Sequence, residues 1–265
     1  MEKIASLQNS RIKQIGKLQT KARERKSAGL FVIEGAREIS LAIEGDYSIE
    51  SVLICRELFS KSDYPNLLKR IQPNLQFEVS EAVFEKIAYR EGSDGLLALA
   101  KPKSHHLNDL RLPENPFIIV LEAVEKPGNL GAILRTADAS RANAVVVCDP
   151  LTDIYNPNIV RSSVGCLFTV PIAVCSNTEA LEFMRSGKIK TYAAELNAAQ
   201  WYHETDFTLP SAIIMGTEAD GLTEFWLKNA DARIKIPMRG KIDSLNVSVS
   251  TAVITFEAMR QRRFK

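Results

Sequence analysis

Three polar stretches hold the residues that could do chemistry. The first is Glu122-Ala-Val-Glu-Lys-Pro-Gly-Asn129-Leu-Gly131-Ala-Ile-Leu-Arg135-Thr-Ala137. Pro127-Gly128 makes a turn, Asn129 opens a helix, and Arg135 follows six residues on. Gly131 and Arg135 are one helical turn apart, so a small residue lies beneath the guanidinium. The second is Ile213-Ile-Met215-Gly216-Thr217-Glu218-Ala-Asp-Gly221-Leu222. Its two glycines bracket an acidic turn where backbone can approach a ligand closely. The third runs from Ile236-Pro-Met238 through Arg239, Gly240, Lys241 and Asp243 to Ser244-Leu245-Asn246-Val-Ser-Val-Ser-Thr-Ala252. Ser and Asn at a helix start usually cap it, because a side-chain oxygen accepts an orphan N–H there. The same end of a helix receives the anionic or polar end of a ligand. Taken singly, each stretch reads about as well as an ordinary turn or a capped helix.

The elements that must position these residues alternate. From Phe117 a continuous apolar run, Phe117–Leu121, suits a buried parallel strand. Strands at 144–148, 169–174, 191–196, 212–215 and 233–236 follow. Helices are expected at 130–141, 158–165, 178–186, 223–229 and 245–260. About six strands with crossover helices make an open parallel sheet covered on both faces. Each of the three stretches follows a strand, and ligands of such sheets bind beyond the carboxyl ends of the strands. Upstream, strands at 30–33, 49–55, 75–79 and 95–100 alternate with helices to make a smaller α/β domain. Arg56 to Ile71 reads as mostly helical, interrupted near Pro65. Residues 101–116, with Pro102, Pro113, Pro116, His105 and His106, lack periodicity and read as a linker. The domains are therefore 1–100 and 117–265.

Composition narrows the field. Net charge is only +2 over 265 residues. Yet Met1 to Lys26 carries eight Lys/Arg against Glu2 and Glu24, and the tail from Arg260 is also basic. Asn9 to Lys26 reads as a basic amphipathic helix with Ile12, Ile15 and Leu18 on its apolar face. Local excess of this kind suits a polyanion, although a solvated helix face accounts for it nearly as well. No apolar run approaches the ~20 residues of a membrane span, and no secretion signal opens the chain. Cys55, Cys148, Cys166 and Cys175 show no C-x-x-C spacing, so they read as reduced thiols of a cytoplasmic protein, with no metal site. There is no P-loop, no G-x-G-x-x-G after Phe117–Leu121, no G-x-S-x-G and no H-E-x-x-H. The common nucleotide, hydrolase and zinc readings weaken together.

In order, Asn-x-Gly-x-x-x-Arg-Thr-Ala from Asn129, Gly-x-Glu-x-x-Gly-Leu from Gly216, and Ile-Pro-Met with Ser-Leu-Asn-Val-Ser-x-Ser from Ile236 resemble one family. It is the SpoU (TrmH) family of RNA ribose 2′-O-methyltransferases, within the SPOUT superfamily. Phe31-Val-Ile-Glu34-Gly35-Ala-Arg37-Glu also looks like that family's substrate-binding domain, itself similar to ribosomal RNA-binding proteins. The resemblance implies an α/β fold whose C-terminal parallel sheet carries a deep trefoil knot, S-adenosylmethionine as methyl donor, and a homodimer. It places the cofactor at Met215, Gly216, Glu218, Ile236, Met238 and Leu245, held by backbone groups of Gly216, Ile236 and Leu245. Asn129, Arg135, Glu218, Ser244 and Asn246 fall on its catalytic and structural positions. Lys13, Lys17, Arg23, Arg25, Arg37 and Arg135 are the expected RNA contacts.

A ribose 2′-hydroxyl must lose its proton as it attacks a sulfonium methyl. Arg135 is the activating residue the resemblance suggests, but an Arg with a pKa above ~12 is a poor base. A bidentate grip on the adjacent phosphate suits it better, leaving that phosphate or a water to take the proton. The expected function is 2′-O-methylation of structured RNA, with 23S ribosomal RNA ahead of transfer RNA. The rivals are a resistance methyltransferase acting on ribosomal RNA and a non-catalytic RNA-binding or ribosome-assembly factor.

Overall fold

The computed structural model describes residues 1–59, 66–89, 92–217 and 219–264. The chain forms two compact units. Met1–Lys103 with Asp153–Thr169 make the first, and Ser104–Thr152 with Val170–Lys265 make the second.

In the first unit, β1 (Glu2–Ile4), α1 (Ser10–Thr20), α2 (Ala22–Ala28), β2 (Phe31–Glu34), α3 (Ala36–Glu44), β3 (Ile49–Ile54), α4 (Arg56–Phe59), β4 (Gln76–Val79), α5 (Glu81–Ile87) and β5 (Leu96–Ala100) follow one another. The sheet order is β1-β4-β3-β5-β2, with β1, β4 and β3 parallel and β5 antiparallel to both β3 and β2. β1 was not expected. Three residues are too few to show a period, and only pairing with β4 makes them a strand. The helical reading of Arg56 to Ile71 resolves into α4 and a short 3₁₀ turn at Leu67–Arg70; residues 60–65 lie outside the described residues.

The expected single helix over 9–26 is two helices. Lys21 is extended (φ −126°, ψ 114°) and ends α1. The change of direction buries Arg25, whose guanidinium donates to the Leu18 carbonyl (2.6 Å) and pairs with Asp153. The apolar side of α1, formed by Ile12, Ile15 and Leu18, enters the core beside Phe77 and Phe84.

Residues 153–169 were expected to belong with the C-terminal half, but they pack with the first unit. Their short helices α7 (Pro157–Ser162) and α8 (Cys166–Thr169) carry the chain past α3. The Tyr155 ring sits 4.2 Å from Phe31, and Phe168 sits 5.0 Å from Tyr47, edge to face. Burial raises both tyrosine pKa values, so the phenols stay neutral. Gly45 admits this contact, because a Cβ there would lie 2.3 Å from the Phe168 carbonyl oxygen. No local periodicity announces such a cluster; it is a long-range packing event.

The second unit holds β6 (Phe117–Glu122), α6 (Pro127–Ser140), β7 (Ala144–Cys148), β8 (Ile172–Cys175), α9 (Asn177–Ser186), β9 (Lys190–Ala194), β10 (Gln200–Trp201), β11 (Ser211–Met215), α10 (Glu224–Asn229), β12 (Ala232–Lys235) and α11 (Val247–Gln261). All its strands are parallel, in the order β10-β12-β9-β11-β6-β7-β8. β6, β7 and β11 are buried along their whole length, as expected of strands covered on both faces. β10 is a short edge strand that sequence patterning missed. Part of the expected linker belongs to this unit: Leu107, Leu110 and Leu112 pack on its core, and the His105 carbonyl accepts the Val174 N–H (2.7 Å). All four cysteines are free. Cys148 and Cys175 lie in register on β7 and β8, and their mutual hydrogen bond, with burial, pushes the Cys148 thiol up.

Candidate functional site

The three polar stretches leave β6, β11 and β12 at the same end of a parallel sheet, so they converge by topology. Two of them, with the chain that runs on from β9, wall a cavity of about 450 Å³ within the second unit. Met215, Gly216, Ile236, Met238 and Leu245 line it, and Ser244 stands at the same wall. Glu218 lies outside the described residues. The cavity falls in the size range of small-molecule sites, which is roughly 300–1,000 Å³.

Gly216 has a reason of its own. A Cβ there would meet the Gly221 carbonyl carbon and oxygen at 2.2 Å and the Leu222 nitrogen at 2.5 Å. Thr217 and Gly221 exchange backbone hydrogen bonds (3.0 and 3.1 Å), closing the turn onto itself. Gly221 has φ +69°, which favours glycine. The first demand on these two glycines is therefore the turn, and any approach to a ligand comes through the backbone that the turn presents.

Asn129 does not open its helix. α6 begins two residues earlier with Pro127 at its first position, where the missing N–H costs nothing. The Asn129 side chain is thereby released from capping, and its Oδ1 accepts from Asn246 Nδ2 (3.2 Å). Its own Nδ2 is buried and has no hydrogen-bond partner among the described residues. Asn246 is the cap of α11: its Oδ1 accepts from the Ser248 N–H (3.0 Å) and hydroxyl (2.6 Å). One amide thus caps one helix and ties it to the start of another. Ser244 is exposed and donates to Asp243 (3.0 Å), so of the two expected capping residues only Asn246 caps.

Arg135 is exposed on α6 and makes no ion pair among the described residues. Six residues past Asn129, it lies about 9 Å along the helix axis and roughly 240° around it. The two side chains therefore leave α6 on different faces.

A network that sequence reading left without a role sits behind the cavity. Glu122, the last residue of β6, is buried. It accepts from Asn177 Nδ2 (2.8 Å) and from Thr223 through both the hydroxyl (2.6 Å) and the backbone N–H (2.8 Å). Asn177 in turn accepts from the Trp226 indole (2.6 Å). Both oxygens of the carboxylate accept hydrogen bonds, as a buried charge requires. The result clamps the start of α10 to the tip of β6 and holds the 216–222 turn at its far end. A carboxylate closing an otherwise apolar strand was the available signal.

The expected RNA contacts lie in the first unit, apart from Arg135. Lys13, Lys17 and Arg23 are exposed and without ion pairs among the described residues. Arg37 is exposed in the first turn of α3, whose Ala36 N–H is capped by Asp94 (2.7 Å). Arg25 is a correction. Buried and committed to Asp153 and the Leu18 carbonyl, it holds α2 in place and offers nothing to a ligand.

Residues 116–256 match the SpoU rRNA Methylase family, and residues 9–98 match the MRM3-like substrate binding domain. The chain is 28% identical over 257 residues to the 23S rRNA (guanosine(2553)-2′-O)-methyltransferase RlmP of Bacillus subtilis, covering 97% of this chain and 98% of that protein. A crystal structure of an RNA 2′-O ribose methyltransferase matches with a TM-score of 0.84 at 37% identity, over 98% of this chain and 99% of that one. The SpoU methyltransferase AviRb of Streptomyces viridochromogenes, solved in complex with AdoMet, matches with a TM-score of 0.88 at 28% identity, over 97% and 100% of the two chains. With its three motif stretches gathered at one end of a parallel sheet and its C-terminal half matched throughout, the chain belongs to the SpoU rRNA methylase family.

Proposed function

We propose that this protein transfers a methyl group from S-adenosylmethionine to a ribose 2′-hydroxyl in structured RNA, with 23S ribosomal RNA as the substrate. The observation that carries the reading is the cavity walled by the β11 and β12 tips and the entry to α11. It has an apolar side from Leu222, Leu227 and Ile254 and a backbone rim at Gly216, Thr217 and Gly221. That combination fits a nucleoside with an apolar sulfonium arm. The name of the Bacillus relative and the AdoMet complex of AviRb support it. When bound, S-adenosylmethionine supplies the electrophilic methyl.

The protein's part is positioning. Gly216, Ile236 and Leu245 present backbone groups to the cofactor, and Met215 and Met238 pack beside it. Asn129 and Asn246, already joined, set the ribose against it. Arg135 grips the neighbouring phosphate, so that this phosphate or a water takes the hydroxyl proton. Ser244 touches the substrate beside the α11 cap. No metal is required, since orientation supplies the main rate term. Incubation of the pure protein with tritiated S-adenosylmethionine and ribosomal RNA from a strain lacking it tests the reading. Label should appear at one ribose of 23S RNA. Cofactor binding without incorporation into any RNA would instead favour an assembly factor.

Residues 1–103 with 153–169 act as the RNA-binding domain, and 104–152 with 170–265 act as the catalytic domain. The exposed cations of the first unit support that role. Neutralising Lys13, Lys17 and Arg23 together should weaken RNA binding and lower the slope of log K against log salt by about 0.7–0.9 per lost phosphate contact. An unchanged slope, read by filter binding across salt, returns α1 to a solvated face.

The functional unit is a homodimer in a cytoplasmic setting, its C-terminal chain drawn into a trefoil knot. The packing of α11 on both α6 and β11 supports the threading. Val249 and Phe256 are 47% and 41% exposed, and with Val253 they form an apolar stripe along α11. Such a stripe suits a second copy of the chain. Phe256→Glu should convert a dimer to a monomer in sedimentation equilibrium. A variant that stays dimeric removes α11 from the interface. Among the described residues no helix is long and apolar enough to cross a membrane.

A further inference from the structure

Residues 153–169 belong to the first unit, although they lie inside the stretch 116–256 that matches the methylase family and outside the 9–98 match. Through α7 they bring a hydrogen bond and a cation to the surface of that unit. Asn158 Oδ1 accepts from the Tyr89 hydroxyl (2.8 Å). Arg161 follows Asn158 by three residues, so the two share a face of α7. Tyr89 and Arg161 line one shallow depression whose floor is Val32, Pro157 and Val160, all buried. Its volume is about 20 Å³, room for one water, so a larger ligand lies across its mouth.

Tyr89 is held at both ends. Its N–H donates to Glu34 (2.6 Å) and its hydroxyl to Asn158, yet the residue is 40% exposed. A ring fixed in this way has little freedom left to lose on binding. Arg161 is exposed, and its side chain makes no ion pair or hydrogen bond among the described residues. The other polar groups of the depression are occupied. Gln19 donates to the Ile87 carbonyl (2.6 Å), and Glu34 holds the Tyr89 backbone. What is left for a ligand is an aromatic ring and a guanidinium on one rim.

Resting on the RNA-binding role proposed above for the first unit, we infer that Tyr89 and Arg161 form a subsite for one unpaired nucleotide of the RNA. The base stacks on the Tyr89 ring, and the Arg161 guanidinium donates to the adjoining phosphate. These two groups match the two halves of a nucleotide, a flat π face and an anion. An apolar peptide side chain would use the ring and leave the cation idle, and an acidic one would do the reverse. Bases inside a duplex have both faces covered by their neighbours, so the ring selects a loop, a bulge or a strand end. Stacking of this kind tolerates any base, because every base has a π face.

Filter binding of 23S ribosomal RNA from a strain lacking the protein, across a salt series, tests the subsite with the full chain and its Tyr89→Phe, Tyr89→Leu and Arg161→Gln variants. Tyr89→Leu keeps an apolar side chain and loses the ring. It should bind about tenfold more weakly, with the wild-type salt slope. Tyr89→Phe keeps the ring and should stay within about threefold of wild type. Arg161→Gln should weaken binding and lower the slope of log K against log salt by about 0.7–0.9, the share of one phosphate. Arg161 has no internal partner to lose, so its variant decides the matter even where a Tyr89 variant fails to fold. Wild-type affinity in Tyr89→Leu overturns the subsite, and so does an unchanged slope in Arg161→Gln. Equal losses in Tyr89→Phe and Tyr89→Leu trace the effect to the Asn158 hydrogen bond and overturn it too. In each case binding by wild type leaves the RNA-binding role of the first unit standing. A wild-type chain that binds no RNA overturns both.

Discussion

Arg135→Ala lowers kcat/KM for RNA methylation by about 100-fold or more, while the affinity for S-adenosylhomocysteine stays within about twofold of wild type. The expectation follows from where the side chain stands. Arg135 is exposed, makes no ion pair among the described residues, and lies on a different face of α6 from the Asn129 side chain that binds α11. Removing it therefore takes away no packing from the cavity. What disappears is a planar fork of donors suited to a phosphate. A substrate held less well loses orientation, and ~1 Å of misplacement is enough for a loss of that size. Arg135→Lys should remain impaired, because an ammonium keeps the charge and loses the bidentate geometry. Tritium transfer under kcat/KM conditions, with calorimetry on the same preparations, reads both quantities. Transfer near the wild-type rate in Arg135→Ala removes the residue from the reaction. Loss of cofactor affinity in step with activity makes it structural.

Arg25→Ala destabilises the protein by about 3 kcal/mol, roughly 5–10 °C in midpoint for a chain of this size. The guanidinium is buried, and its partner Asp153 is only 27% exposed. Truncation leaves that carboxylate without its cation and the Leu18 carbonyl without its donor, each a desolvated group left unmatched. It also removes the side chain that ties α2 to residues 153–169. Urea unfolding should show a lower midpoint for Arg25→Ala, with an RNA salt dependence like that of wild type. The Lys13, Lys17 and Arg23 variant should show the reverse pattern. A stable Arg25→Ala with a shallower salt slope would place this residue among the RNA contacts after all.

These two arginines also mark how far sequence patterning reaches. Arg135 follows an apolar strand and a turn at a spacing that identifies both its helix and its exposure. Arg25 sits among eight cations in twenty-six residues and shares their pattern. What separates it is an extended residue at Lys21 and an acid 128 residues away. The same division holds in the site. The apolar run of β6, the β-branched strands β7 and β11, and the Pro-bearing start of α6 declare themselves locally. The Glu122 clamp and the Asn129–Asn246 bond each join residues far apart in the chain, and no period or short motif encodes such a meeting. β1 and β10 escaped notice because strands of two or three residues carry no alternation. Tyr155 and Phe168 read as part of the C-terminal half until their rings are placed against Phe31 and Tyr47.

From sequence alone came the alternation of strands and helices, the parallel character of the larger sheet, and the three turns at the strand tips. Those features rest on local sterics and on which face of each element must leave water. Tertiary structure alone decided which cation is buried, which carboxylate clamps a strand tip to a helix start, and which amide caps one helix while gripping another. Those outcomes depend on desolvation and hydrogen-bond matching between distant residues, and they exist only once the chain has brought the residues together.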